Sequence, residues 1–221
     1  MKKLSPLQFT FYFISIAASI LLLLASSFKW IDQDITEAWG FVTGAWCVWL
    51  VALENIWNFP IGLANSVFYF VLFFQARLFA DAFLQVVYFI LEIIGWYQWL
   101  RGGEKKTALK VSRTSLKTWG IVILFLTAGT VAIQWILIRV KGAAPFTDAL
   151  TTSISLAAQF MMNAKLFENW HLWLIADVIY VWLYISRGLY LTSLLYFIFI
   201  LLCFAGIRYW GAALKALNAK K

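Results

Sequence analysis

Charged residues, histidine and cysteine are scarce in this sequence, and each shortage excludes a class of protein. Only 13% of the 221 residues are charged, against roughly 25% in soluble domains, so there is too little polar surface to cover a water-soluble globule. The two cysteines, Cys47 and Cys203, lie in separate apolar runs, and the one histidine is His171. Two separated cysteines and one histidine are too few for a disulfide framework or a metal site. No phosphate-binding loop and no G-x-S-x-G elbow occurs, so we expect no ATP-driven motor, no catalytic residue and no cofactor.

Hydrophobic residues dominate instead, at 63% with a mean hydropathy of +0.82, which is typical of an integral membrane protein. A membrane-spanning helix needs about 20 mainly apolar residues, and eight segments meet this need. They are Leu7–Phe28, Thr36–Leu53, Phe59–Leu78, Asp81–Leu100, Lys117–Ile138, Phe146–Met162, Asn169–Ser186 and Leu189–Ala212. Only Phe79 and Ala80 separate the third and fourth segments, and only Arg187 and Gly188 the last two, so both pairs are predicted to be antiparallel hairpins. The first segment, preceded by Lys2 and Lys3, also resembles a cleavable signal peptide, but it is long for one and we predict a retained span.

The positions of Lys and Arg predict the orientation. With a cytoplasmic N-terminus, 13 of the 18 basic residues fall in cytoplasmic segments and five in outside segments. This positive-inside pattern places both termini in the cytoplasm. The basic segments are expected to contact anionic lipid head groups, and nucleic-acid binding is a weak alternative.

A weak internal repeat divides the chain. A shift of 111 residues aligns six identical or similar pairs: Asn58 with Asn169, Tyr69 with Tyr180, Phe79 with Tyr190, Leu84 with Leu195, Gly95 with Gly206, and Trp99 with Trp210. Segments two to four and six to eight then form two parallel triplets joined by segment five, as in small transporters that bind their substrate between the repeats. The predicted units are an N-terminal helix and loop (1–35), a first bundle (36–100), a basic loop with the linking helix (101–145), a second bundle (146–212) and a basic tail (213–221).

Polar and aromatic side chains follow helical spacing on single faces of five segments. A polar side chain at membrane depth is a functional candidate unless it is partnered. The faces are Trp39 and Trp46; Asn58, Asn65 and Tyr69; Asp81, Gln85, Tyr88, Glu92 and Trp96; Asp148, Thr152, Ser155, Gln159 and Asn163; and Trp170, Trp173, Asp177, Tyr180 and Tyr184. Each residue could instead bond helix to helix, at roughly 0.6 kcal/mol per hydrogen bond. Asp81, Asp148 and Asn169 could simply be N-caps.

The side chains on these faces indicate the kind of ligand. Carboxamides suit hydroxyl and amide groups, aromatic rings stack on flat rings and attract cations, and Asp177 and Glu92 could neutralise a positive ligand. No basic cluster lies near the membrane midplane to hold a phosphate. A neutral or cationic aromatic compound that carries a sugar fits best. A sodium or proton role for Glu92 or Asp177 stays open, as do a carrier for thiamine-like cations or sugars and, less favoured, an intramembrane enzyme.

Two runs of residues resemble a known family. The first comprises Asn55-Ile-Trp-Asn-Phe-Pro-Ile-Gly62, Ala76-Arg-Leu-Phe-Ala-Asp81, Leu84-Gln85 and Gly95-Trp-Tyr-Gln-Trp99. The second comprises Glu168-Asn-Trp170, Asp177, Leu183-Tyr184, Arg187-Gly-Leu-Tyr-Leu-Thr192, Leu195-Tyr196 and Gly206. Together they are similar to PnuC-type nicotinamide riboside transporters over residues 37–212, although Phe59 stands where a Trp is expected.

The resemblance implies a SWEET-related 3+1+3 fold with an extra first helix and assembly as a homotrimer in a bacterial inner membrane. It also implies facilitated diffusion of nicotinamide riboside, which a cytoplasmic kinase traps. We hypothesise that Trp46, Tyr88, Tyr180 and Trp182 clamp the pyridine ring. Asn65, Gln85, Gln159 and Asn163 would bond the ribose and the amide. Asp177 would favour positive charge, and Tyr184 completes the predicted site.

Overall fold

The computed structural model describes residues 6–30, 35–75, 79–139, 145–186 and 190–219. In these ranges the α-helices are α1 (Pro6–Ser27), α2 (Ile35–Ala52), α3 (Asn58–Gln75), α4 (Phe79–Arg101), α5 (Leu116–Arg139), α6 (Pro145–Asn163), α7 (Asn169–Ser186) and α8 (Tyr190–Asn218), and a short 3-10 turn lies at Glu104–Lys106. The predicted all-helical fold is confirmed, and each predicted segment coincides with one helix.

The helix ends differ from the prediction in two places. Phe79 and Ala80, predicted as a turn, instead open α4, because neither residue is a helix breaker. Helix α8 continues past the predicted end at Ala212 as far as Asn218. The predicted turn at residues 187–188 lies outside the described residues.

Local sequence signals explain several helix starts. Pro6 and Pro145 occupy the first positions of α1 and α6, where a missing N–H has no cost. Ser115 caps α5, because its hydroxyl accepts a hydrogen bond from the N–H of Thr118 at 3.1 Å. Asp148 lies within the first turn of α6 and Asn169 is the first residue of α7.

The helices pack as two groups of three. Helix α3 packs against α2 and α4, and α7 packs against α6 and α8. The groups meet where α2 contacts α8 and α4 contacts α6, while α5 packs on α6 and α1 packs on α2. Space between the two groups is therefore bordered by six helices.

Within the described residues, five helices are long and apolar enough to cross a membrane: α2, α3, α4, α5 and α8. Large apolar side chains project outward from them: Leu124 of α5 is 67% exposed and Phe83 of α4 is 68% exposed. Helix α6 is different, because Thr, Ser, Gln and Asn residues lower its hydropathy and eleven of its 19 residues are buried. A helix enclosed by other helices does not need an apolar surface toward lipid.

Candidate functional site

A cavity of about 170 Å³ lies between the two groups of helices. Its described lining residues come from α2, α3 and α4 on one side and from α6, α7 and α8 on the other. An apolar cavity of roughly 150 Å³ is large enough for a benzene ring, so this space accommodates one aromatic ring. Seven of the ten predicted site residues line it: Asn65, Gln85, Tyr88, Gln159, Asp177, Tyr180 and Tyr184.

The other three predicted site residues lie outside the cavity lining. Trp182 is 64% exposed on the outer face of α7. Trp46 faces α1, where its indole N–H donates to Ser19 Oγ at 3.1 Å. Asn163 is buried beside the cavity, and its amide donates to the carbonyl oxygen of Leu91 at 2.7 Å. Trp46 and Asn163 thus make helix-to-helix hydrogen bonds.

Aromatic rings form one wall of the cavity, which we call the tyrosine wall: Tyr180, Tyr184 and Tyr196. The rings of Tyr180 and Tyr184 stack with centroids 5.6 Å apart, and the Tyr196 centroid lies 4.7 and 5.2 Å from them. The Tyr180 hydroxyl lies 3.4 Å from Ser155 Oγ, which fixes its position. Such a wall offers ring faces to a flat or cationic ligand.

Helix α8 supplies cavity residues that were absent from the predicted site. They are Thr192, Leu195, Tyr196, Phe199 and Cys203. Their spacing follows one helical face. This spacing could have predicted that α8 lines the cavity. However, apolar and aromatic residues at the same spacing are equally typical of a helix face that contacts lipid.

Asn65 both joins two helices by hydrogen bonds and lines the cavity. Its amide nitrogen donates to the Gly40 carbonyl oxygen at 2.7 Å and lies 3.0 Å from Thr43 Oγ1, so it fastens α3 to α2. The same residue lines the cavity. Gln159 is similarly engaged, since its amide donates to Asn163 Oδ1 at 3.3 Å.

Two carboxylates face the cavity from opposite groups of helices. Glu92 of α4 packs over Gly62 of α3, where a Cβ atom would lie only 2.5 Å from Glu92 Oε1. Asp177 of α7 is 2% exposed, and its Oδ2 accepts a hydrogen bond from the thiol of Cys203 at 3.6 Å. Among the described residues, Glu92 Oε2 and Asp177 Oδ1 have no hydrogen-bond partner.

A cluster of buried rings, which we call the aromatic seal, adjoins the cavity through Trp170: Phe59, Trp99, Trp170 and Trp210. Phe59 and Trp99 meet edge to face at 5.1 Å, and Trp170 and Trp210 do so at 5.4 Å. Gly206 is required here, because a Cβ atom at that position would overlap the Trp170 ring.

Reciprocal hydrogen bonds hold the seal. The Trp99 indole N–H donates to the Met162 carbonyl oxygen at 3.2 Å, and the Trp210 indole N–H donates to the Val51 carbonyl oxygen at 3.1 Å. Trp99 and Trp210 are 111 positions apart, as are Val51 and Met162. Each group of helices therefore bonds the other in the same way.

An ion pair lies next to the seal. Lys165 Nζ is 2.9 Å from Glu54 Oε2 and 4.2 Å from the centre of the Trp99 ring. Glu54 and Lys165 are also 111 positions apart, and both have left-handed backbone conformations, with φ of 52° and 50°. The two loops that they occupy, α2–α3 and α6–α7, are thereby joined.

The segment between α4 and α5 is fastened to the same end of the molecule. Ser112 exchanges backbone hydrogen bonds with Lys165 and Phe167. Glu168 accepts hydrogen bonds from the backbone N–H and hydroxyl of Thr114, and from Arg113 at 3.1 Å. Partial burial raises the pKa of Glu168, but these hydrogen bonds outweigh it and hold the pKa below its ordinary value.

Comparison with known proteins identifies relatives over most of the chain. The family of nicotinamide mononucleotide transporters matches residues 34–212. The nicotinamide riboside transporter PnuC of Escherichia coli is 32% identical over 205 residues, which cover 81% of this chain and 86% of that protein. The riboflavin/roseoflavin transporter RibM of Streptomyces davaonensis is 27% identical over 193 residues, covering 84% of this chain and 90% of RibM. The crystal structure of the vitamin B3 transporter PnuC has the same fold, with a TM-score of 0.71, 21% identity and 92% of each chain covered.

Proposed function

The chain belongs to the family of nicotinamide mononucleotide transporters, and from this we propose that it carries nicotinamide riboside across the bacterial inner membrane. The observation that carries the proposal is the composition of the cavity lining. Aromatic rings, carboxamides and two carboxylates line the cavity, and no Lys or Arg is among the described lining residues. This surface suits a pyridinium ring with a carboxamide and a sugar.

The lining favours the riboside over the two nearest alternatives. The mononucleotide carries a phosphate, which would face Glu92 and Asp177 without a basic partner. Riboflavin carries a neutral ring system, which would leave Glu92 and Asp177 without a counter-charge. Nicotinamide riboside is cationic.

The proposed architecture is two parallel triplets, α2–α4 and α6–α8, linked by α5 and preceded by α1. The reciprocal bonds of Trp99 and Trp210 at the 111-residue spacing support it. So does the edge-to-face contact of Phe59 with Trp99, which repeats between Trp170 and Trp210. The family resemblance also supports a homotrimer.

Transport would proceed by alternating access, with one triplet rocking against the other about the central cavity. The distribution of basic residues supports cytoplasmic termini, which would put the aromatic seal and the Glu54–Lys165 pair on the cytoplasmic side. The described conformation is then closed toward the cytoplasm. Movement would follow the substrate gradient, and a cytoplasmic kinase that phosphorylates the riboside would maintain that gradient.

Uptake of radiolabelled nicotinamide riboside into proteoliposomes tests the proposal. Unlabelled riboside should compete strongly, and thiamine, riboflavin and nicotinamide mononucleotide weakly. Trp173→Ala removes a ring that lines the cavity and should raise KM at least several-fold. Trp182→Ala removes an exposed ring from the same helix and should leave KM unchanged. Stronger competition by riboflavin or the mononucleotide, or equal effects of the two substitutions, would contradict the proposal.

A further inference from the structure

The two cavity carboxylates occupy complementary positions in the two triplets. At the 111-residue spacing, Glu92 of α4 corresponds to Cys203 of α8, and Ser66 of α3 corresponds to Asp177 of α7. All four side chains line the cavity. Each triplet therefore contributes one carboxylate and one small neutral polar group, with the two roles exchanged between the helices.

Neither carboxylate has a counter-charge within the lining. No Lys or Arg is found among the described lining residues, and the two described ion pairs, Arg113–Glu168 and Lys165–Glu54, involve neither Glu92 nor Asp177. Each carboxylate also keeps one buried oxygen without a hydrogen-bond partner among the described residues. An unpaired carboxylate is unfavourable in a buried site, so a cationic ligand between the two triplets gains from both groups.

The surrounding aromatic rings also favour a cationic ligand. The faces of Tyr180, Tyr184 and Tyr196 carry partial negative charge, and they adjoin the cavity. A neutral ligand of the same shape would gain the stacking contacts but would leave both carboxylates unpaired. A site built in this way rejects an analogue that lacks the matching group, because its own buried polar groups then stay unsatisfied.

We propose that Glu92 and Asp177 form a charge filter that makes the carrier selective for ligands with a permanent positive charge, with one carboxylate supplied by each triplet. This inference rests on the proposed function. It assigns to Glu92 a role in specificity that is shared with Asp177, and it predicts that neither residue alone provides the full selectivity.

The test compares two ligands of nearly equal shape, nicotinamide riboside and its uncharged 1,4-dihydro form. The measured quantity is the ratio of kcat/KM for the cation to that for the neutral form in proteoliposomes. We expect a ratio of about ten or more in the unmodified protein, because a buried charge that lacks a partner is less stable than one that has a partner. The ratio should fall about three-fold or more in Glu92→Gln and in Asp177→Asn. It should be near one in the double variant. Glu92→Asp keeps the charge and should retain a ratio above that of Glu92→Gln.

The neutral position that corresponds to Asp177 provides a matched control. Ser66→Ala alters the same cavity without changing its charge, so kcat/KM for both ligands should change together and the ratio should stay constant. A ratio unaffected by Glu92→Gln and Asp177→Asn, or changed equally by Ser66→Ala, overturns the charge filter. Equal transport of both ligands by the unmodified protein also overturns it while leaving the proposed function intact, whereas transport of neither ligand contradicts the proposed function itself. If a variant is poorly folded, as judged by its thermal unfolding, the ratio measured with the other carboxylate variant decides.

Discussion

In the proposed alternating-access cycle and orientation, weakening the aromatic seal should open the carrier toward the cytoplasm. Trp99→Phe and Trp210→Phe each remove one indole N–H, and with it the hydrogen bond to Met162 at 3.2 Å or to Val51 at 3.1 Å. Such bonds between membrane helices are worth roughly 0.6 kcal/mol on average and at most about 1.7 kcal/mol. If they form only in the closed state, each substitution shifts the closed-to-open equilibrium about three-fold, and the double variant shifts it about eight-fold.

Two native thiols make this shift measurable. Cys47 and Cys203 both line the cavity, so a membrane-impermeant thiol reagent added to inside-out vesicles reaches them only when the cytoplasmic side is open. The modification rate should rise by the same factors, and a variant in which both cysteines are Ala gives the background. Trp135→Phe is the matched control, because this tryptophan of α5 is exposed and is not among the cavity lining residues. An unchanged rate in the double variant, or an equal rise in the control, would refute the assignment of the seal as the cytoplasmic closure.

Three further predictions follow from individual contacts. Gly206→Ala places a methyl group against a buried indole and should destabilise the fold by about 1–3 kcal/mol, whereas Gly120→Ala meets nothing within 4 Å and should not; thermal unfolding in detergent separates the two. Trp46→Phe removes the hydrogen bond to Ser19 at a position outside the cavity lining, so KM for uptake should be unchanged while thermal stability falls slightly; a large rise in KM would return Trp46 to the substrate site. Because the pKa of Glu168 is held below its ordinary value, the ionised carboxylate stabilises the fold at neutral pH, and this contribution is lost as the pH falls through the folded-state pKa. Glu168→Gln should therefore show a smaller loss of thermal stability between pH 7 and pH 4 than the unmodified protein, and an equal loss would contradict the assignment.

The sequence predicted the helices well because apolar length is a direct physical requirement of a bilayer. Each of the eight predicted segments coincides with one helix. The errors lie at ends where nothing interrupts the apolar pattern, as at Phe79, which opens α4. Hydropathy alone also gives a weaker prediction of a membrane span for α6, because many polar residues of this helix are buried.

The site was predicted in part, because helical spacing tells which residues share a face but not where that face points. Asp177, Tyr180 and Tyr184 share a face and line the cavity together. Trp182 lies about 140° away from Asp177 on the same helix and is exposed. Trp46 lies outside the cavity because helix α1 covers the side of α2 on which its ring lies. The spacing of residues within one segment does not show which other helix packs against it.

The Glu54–Lys165 contact also limits how the two halves can be recombined. The partners stand at corresponding positions, 111 residues apart, yet they carry opposite charges. A chain assembled from two copies of the first half would bring two glutamates face to face there, and one assembled from two copies of the second half would oppose two lysines. Repulsion between like charges would penalise both duplicated chains, so this contact favours the pairing of unlike halves.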